Sequence, residues 1–137
     1  GEPQTMQRNP EYRDVVTEVR DFLAARLEAC VEAGISKESV AVDPGIGFGK
    51  NLEHNLELLA GVLRLKELGR PVVIGASRKS FIGLVTGKAV GERLAGSLAV
   101  AAYCTLRGVD ILRVHDVPET RDVVRLIQEL RKREETR

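Results

Sequence analysis

The sequence predicts an α/β fold in which three parallel strands alternate with helices. Three apolar runs begin near residues 40, 72 and 111, and a helical pattern follows each. The intervals of about 32 and 39 residues are the length that a parallel β–α unit requires. The middle run, Pro71 to Gly75, has no polar alternation, which marks a strand covered on both faces. Glycine-rich or polar residues follow each run, the placement expected where ligands bind at the C-terminal ends of parallel strands. The 137 residues are 43% apolar and 30% charged, a composition for one ordered domain at most.

The elements follow in order. Residues 1–10, with Pro3, Asn9 and Pro10, read as a polar loop. From Glu11 to Ala33 the positions Val15, Val16, Val19, Phe22, Leu23, Leu27, Cys30 and Val31 recur with a 3.6-residue period, and Gly34 stops this helix. Ser39 to Asp43 is a short β-branched run ended by Pro44 and Gly45. Asn51 caps a helix that carries Leu52, Leu56, Leu59 and Leu63 and closes at Gly69. After the strand Pro71 to Gly75, residues 77–91 form a polar loop with a short helical turn. Glu92 to Leu106 is an alanine-rich helix, nearly apolar all round and ended by Gly108. Ile111 to His115 is the third strand, and Pro118 opens a helix through Val123, Val124, Ile127 and Leu130. Residues 131–137 read as a solvated charged tail. An open doubly wound sheet and part of a (β/α)8 barrel both satisfy this order.

Several function classes are excluded. No apolar run approaches the roughly 18 residues of a membrane span. The net charge of +1 and the sparse aromatics do not suit a nucleic-acid binder. Two cysteines make no disulfide framework, and both Cys30 and Cys104 read as buried filler in helices. Zinc-ligand spacing, a G-x-S-x-G elbow, a Walker A loop and G-x-G-x-x-G are all missing. The first residues carry neither a start Met nor a secretion signal, so the expectation is a reduced cytoplasmic protein and a piece of a longer one.

Three clusters carry the chemistry. DPGIGFGK, residues 43–50, alternates glycines with Ile46 and Phe48, letting backbone approach a ligand closely. Asp43 at the end of a buried strand needs a cation or hydrogen-bond donors, although it could equally cap its own turn. SRKS, residues 77–80, offers Lys79 as a point charge, Arg78 as a planar fork and the hydroxyls of Ser77 and Ser80. This is an anion-recognition arrangement, or else a solvated basic loop. Arg113 and His115 alternate along the third strand and share one side, which suits a phosphate-type ligand; a strand-end histidine can also be structural. His54, in the first turn of a helix, reads as incidental.

VDPGIGFGKNLEHNLELL, PVVIGASRKSFIG, ERLAGSLAVAAYCTLRGVDILRVHDV and the opening GEPQTMQ together resemble the dihydropteroate synthases. The resemblance covers essentially the whole chain and implies the C-terminal half of a (β/α)8 TIM barrel, residues 1–137 forming a single segment of a pterin-binding domain. It implies condensation of 6-hydroxymethyl-7,8-dihydropterin diphosphate with p-aminobenzoate, giving dihydropteroate and diphosphate, and a sulfonamide target. Lys79 and Asp43 would be catalytic. Asp43 would accept hydrogen bonds from the pterin, and Lys79 would contact the pterin and neutralise Asp43. Gly47 and Gly75 would leave room for the flat ring. Phe48, Arg78 and Ser80 would shape the p-aminobenzoate pocket, Arg113 and His115 would hold the diphosphate, and Ser77 would stand behind them. Magnesium would assist, its ligand coming from an N-terminal half that these residues do not include. The resemblance also implies a homodimer through the last helices.

Two other readings compete. A methyltetrahydrofolate-dependent methyltransferase uses a related pterin-binding barrel, but has no diphosphate for Arg78, Lys79, Arg113 and His115 to hold. A non-catalytic half-barrel acting as an interaction module would use the apolar helix 92–106 as a contact surface. A full (β/α)8 barrel needs about 200–250 residues, so 137 residues are expected to lack turnover alone and to need cover for open strand edges.

Overall fold

The computed structural model describes residues 2–7 and 10–137. The first helix, α1 (Val15–Glu32), begins four residues later than the apolar period allows, because Asp14 caps it. Asp14 Oδ1 accepts from Thr17 N at 3.1 Å, and Glu18 Oε2 accepts from Arg13 N and Asp14 N at 2.8 and 2.9 Å.

The chain then makes a short 3₁₀ turn (Lys37–Ser39), and the first expected strand contracts to one parallel bridge, Val42 to Val72. That turn on one side and Pro44 on the other leave little room for more. Val42 N donates to Pro71 O and Val42 O accepts from Val73 N, both at 2.8 Å.

Helix α2 (Leu52–Ala60) starts at Asn51 with a reciprocal cap: Asn51 Oδ1 accepts from His54 N at 2.9 Å, and His54 Nδ1 accepts from Asn51 N at 3.1 Å. His54 is therefore a capping residue rather than incidental, and its ring also meets Tyr12 edge-on at 4.9 Å. The single helix expected up to Gly69 is broken at Gly61, with α3 (Leu63–Lys66) after the break. A side chain at Gly61 would lie 2.8 Å from Val16 Cγ2, so the break is where α1 packs closest.

Strand β1 (Val73–Ile74) pairs in parallel with β2 (Ile111–Leu112), in the register Val73 to Ile111 and Ile74 to Leu112. The turn expected in residues 77–91 is a seven-residue helix, α4 (Ser80–Thr86). Helix α5 (Leu94–Leu106) packs against α6 (Val117–Glu135). Residues 131–135 are not a free tail. They continue α6, supported by Glu129 pairing with Lys132 at 3.1 Å and Arg133 at 2.6 Å, and Arg131 Nη1 donates to Leu106 O at 2.8 Å at the end of α5.

The core lies between the strands and helices α1–α5, with Ile46, Leu58, Val62, Leu65, Val72 and Cys104 wholly buried. Cys30, expected in the core, is only half-buried. Burial pushes the Cys104 thiol up to about 11. At pH 8 it should therefore resist iodoacetamide in the folded protein and react once denatured, a difference that mass spectrometry of labelled peptides measures. Among the described residues no helix is long and apolar enough to cross a membrane.

Candidate functional site

The bridge and the two strands run the same way, so Asp43, Gly75 to Ser77 and Arg113 to His115 emerge together at their C-terminal ends. Asp43 is held from two directions. Its Oδ1 accepts from Gly45 N at 2.9 Å, closing its own turn, and its Oδ2 accepts from Arg113 Nη1 at 2.9 Å. Both readings of Asp43 therefore coexist.

Lys79 does not pair directly with Asp43. Its Nζ donates to Ile46 O and sits 4.6 Å from the centre of the Phe48 ring. Burial lowers the Lys79 pKa from the ordinary lysine value, and the Arg113 charge lowers it further, against the opposing pull of Asp43. The two glycines expected to leave room for a ring here leave room for these cations. A Cβ on Gly75 would collide with the Arg113 guanidinium, its Cζ 2.7 Å away, and a Cβ on Gly47 would stand 3.1 Å from Lys79 Cδ.

His115 Nδ1 lies 2.9 Å from Ser77 Oγ, which also accepts from His115 N at 3.2 Å. Ser77, expected only behind the site, is the direct partner of the histidine. Gly75, Ser77, Lys79, Arg113, Val114 and His115 line a small hollow of about 170 Å³. Asp43 and Phe48 border a larger hollow of about 800 Å³ on the other side, shared with Tyr12, Phe22 and Lys50. The Asp43–Arg113 pair thus stands between an aromatic-lined space and a cation-lined one. A further hollow, about 1110 Å³, is an open groove between β2 and α6 that touches this cluster only at Arg113 and Val114.

Arg78 has φ +58°, the left-handed region that costs a residue with a Cβ about 1–2 kcal/mol. Three contacts impose it. Arg78 N donates to Ser97 Oγ at 2.9 Å, Arg78 O accepts from Arg93 Nη1 at 3.0 Å, and the guanidinium forks onto Asp116 with its shorter bond at 2.8 Å. The hydrogen bond and charge of Arg78 lower the Asp116 pKa. Ser80 is exposed as the first residue of α4, directly after Lys79.

Four residues have roles that the sequence reading did not assign. Lys50 is 6% exposed, and its Nζ donates to Gly45 O at 3.0 Å and Phe48 O at 2.8 Å. Asn55 is buried, and its Oδ1 accepts from Gly47 N at 2.8 Å. Gln7 Nε2 donates to Lys50 O at 3.1 Å, and Gln7 Oε1 accepts from Gly49 N. Asp116 is the Arg78 partner. A lysine closing a glycine-rich loop was the one available signal.

Comparison with known proteins gives a consistent set of relatives. The sequence pattern of the family described as pterin binding enzyme matches residues 1–115. The dihydropteroate synthase of Escherichia coli K12 is 44% identical over 128 residues, covering 93% of this chain and 45% of that protein. That of Neisseria meningitidis serogroup B is 47% identical over 134 residues, covering 95% and 47%. Among solved structures, the Yersinia pestis dihydropteroate synthase in a sulfonamide drug complex superposes with a TM-score of 0.93 at 40% identity, over 96% of this chain and 48% of that one. The Xanthomonas albilineans enzyme in complex with 7,8-dihydropteroate superposes with a TM-score of 0.87 at 46% identity, over 89% and 47%. The chain spans about half the length of the relatives it matches.

Proposed function

Because the chain belongs to the pterin-binding enzyme family, we propose that it is one half of a dihydropteroate synthase, the C-terminal half of a (β/α)8 barrel, with residues 1–137 as a single segment of it. The observation that carries this is the meeting of Asp43, Lys79, Arg113 and His115 at the ends of parallel strands, between an aromatic-lined hollow and a cation-lined one. The groove beside β2 supports the half-barrel, since among the described residues β2 pairs only with β1.

In this reading Asp43, its carboxylate fixed by Gly45 N, accepts hydrogen bonds from the pterin ring, and Lys79 turns from Ile46 O towards the pterin. Arg113 and His115 bind the diphosphate. The bond from the pterin methylene carbon to the diphosphate oxygen breaks with its electrons leaving on diphosphate. The amine nitrogen of p-aminobenzoate then bonds to that carbon and gives up a proton. Phe48, Arg78 and Ser80 shape the arylamine pocket. Magnesium belongs to this proposal only from outside. Among the described residues no three His, Cys, Asp or Glu side chains come together, so the donors here do not fit a metal centre, and no step is routed through one. Exposed Leu126 and Leu130, one turn apart on α6, support a homodimer through the last helices, and a cytoplasmic enzyme fits the free cysteines.

Titration calorimetry on the full-length protein tests the assignment. It should bind 6-hydroxymethyl-7,8-dihydropterin diphosphate and release dihydropteroate when p-aminobenzoate is added, while these 137 residues alone release none. Binding of methyltetrahydrofolate instead of the pterin diphosphate would overturn it.

A further inference from the structure

Besides Asp43 and Lys79, the glycine loop is held by Lys50 and Asn55, to which the proposed reaction gives no role. Phe48 N donates to Gly45 O at 3.0 Å, closing a four-residue turn with Gly47 in third place at φ +84°, as a type II turn requires. Lys50 Nζ then bonds to Gly45 O and Phe48 O, the carbonyls at the two ends of that turn. Asn55 Oδ1 holds the Gly47 N–H between them. A lysine 6% exposed, with both its hydrogen bonds spent on a loop, loses hydration that an exposed lysine keeps, and a loop that needed only local closure would not require it. What the arrangement accomplishes is visible at Phe48. Its ring is 52% exposed although the residue on either side of the turn is tied down, and it projects over Lys79 Nζ.

We propose that Lys50 and Asn55 are positioning residues that set the glycine turn so that the Phe48 ring is presented as one wall of the arylamine site. The inference rests on the synthase reading for the identity of that ligand. Its structural content, that the Lys50 ammonium fixes Phe48, does not. Lys50 acts through the turn, so its removal matters only while the ring is there to be aimed. Arg113 still holds Asp43 without Lys50, so the pterin side keeps its anchor.

The experiment is a double-mutant cycle in the full-length protein, with Lys50→Met measured in the Phe48 and the Phe48→Ala backgrounds. KM for p-aminobenzoate should rise about ten-fold in the first and less than about two-fold in the second, as expected for losing a charge-assisted hydrogen bond that acts through the ring. KM for the pterin diphosphate should stay within about two-fold. Lys50→Arg, which keeps the donors, should lie nearer wild type and serves if Lys50→Met does not fold. Equal effects in the two backgrounds, or both KM values rising together, would overturn the proposal. Hydrogen exchange of the peptide spanning residues 45–49 gives a readout independent of turnover. Exchange should quicken in Lys50→Met, and unchanged protection would also overturn it. If wild type forms no dihydropteroate, the synthase reading fails while the exchange result still decides the role of Lys50.

Discussion

Lys79→Ala in the full-length protein should lower the rate of dihydropteroate formation by about 10²–10³-fold, the usual loss when a preorganised charged donor is removed from a water-poor site. The ammonium is partly buried, faces Asp43 and Arg113, and in the free protein is satisfied by Ile46 O and the Phe48 ring. Lys79→Met would remove the charge and keep most of the packing, and should be nearly as impaired, whereas a merely structural lysine would be rescued. The pH profile gives a second reading. Burial first, and Arg113 next, hold the Lys79 pKa below the ordinary lysine value. The ammonium is the charged form at low pH, so activity should fall on the alkaline side sooner than an ordinary lysine would allow. That limb should be absent from the residual rate of Lys79→Ala. Steady-state kinetics across pH measures both effects, and wild-type turnover in Lys79→Ala would remove Lys79 from the site.

Gly75→Val should cost on the order of 10–100-fold in kcat/KM without any new charge or lost donor. The space that a side chain would need is filled by the Arg113 guanidinium, the flexible end of an exposed side chain, which yields by swinging its planar fork away. Arg113 then leaves Asp43, and a carboxylate at the strand end loses its cation. The substitution therefore acts by displacing Arg113, and Gly75→Val should add little to Arg113→Met when the two are combined. Additive losses would show that the glycine serves a different purpose. The clash is with a movable, exposed side-chain end rather than with packed core, so thermal unfolding of Gly75→Val should stay close to wild type and should accompany the kinetics.

The parts of the fold legible in the sequence are those set by local pattern. The 3.6-residue period marked α1, the alanine-rich run ended by Gly108 marked α5, Asn51 and Pro118 marked two helix starts, and the unbroken apolar run at residues 71–75 marked β1. What escaped depends on partners distant in sequence. Ser39 to Asp43 has strand propensity, but pairing at one bridge is decided by which backbone lies beside it. The apolar period runs through Gly61 without interruption, yet α1 presses against that glycine and the helix parts there. In the site, Asp43, Lys79, Arg113 and His115 could be named because each stands at a strand end. Which cation reaches Asp43 could not, since Arg113 lies 70 residues away. Lys50 stands in the sequence as the last residue of the glycine-rich run, but its burial cannot be read from a residue type.

The bond from Lys79 to Ile46 O sets a threshold for what the site will accept. The ammonium is not waiting for a partner; it already has a peptide oxygen. A ligand that offers only another neutral oxygen exchanges one hydrogen bond for its equivalent and gains little net free energy. One that brings negative charge gains from the exchange, because direct attraction between ammonium and anion exceeds that between the ammonium and a carbonyl dipole. The loop carbonyl therefore works as an internal competitor, a reference acceptor against which each arriving molecule is weighed.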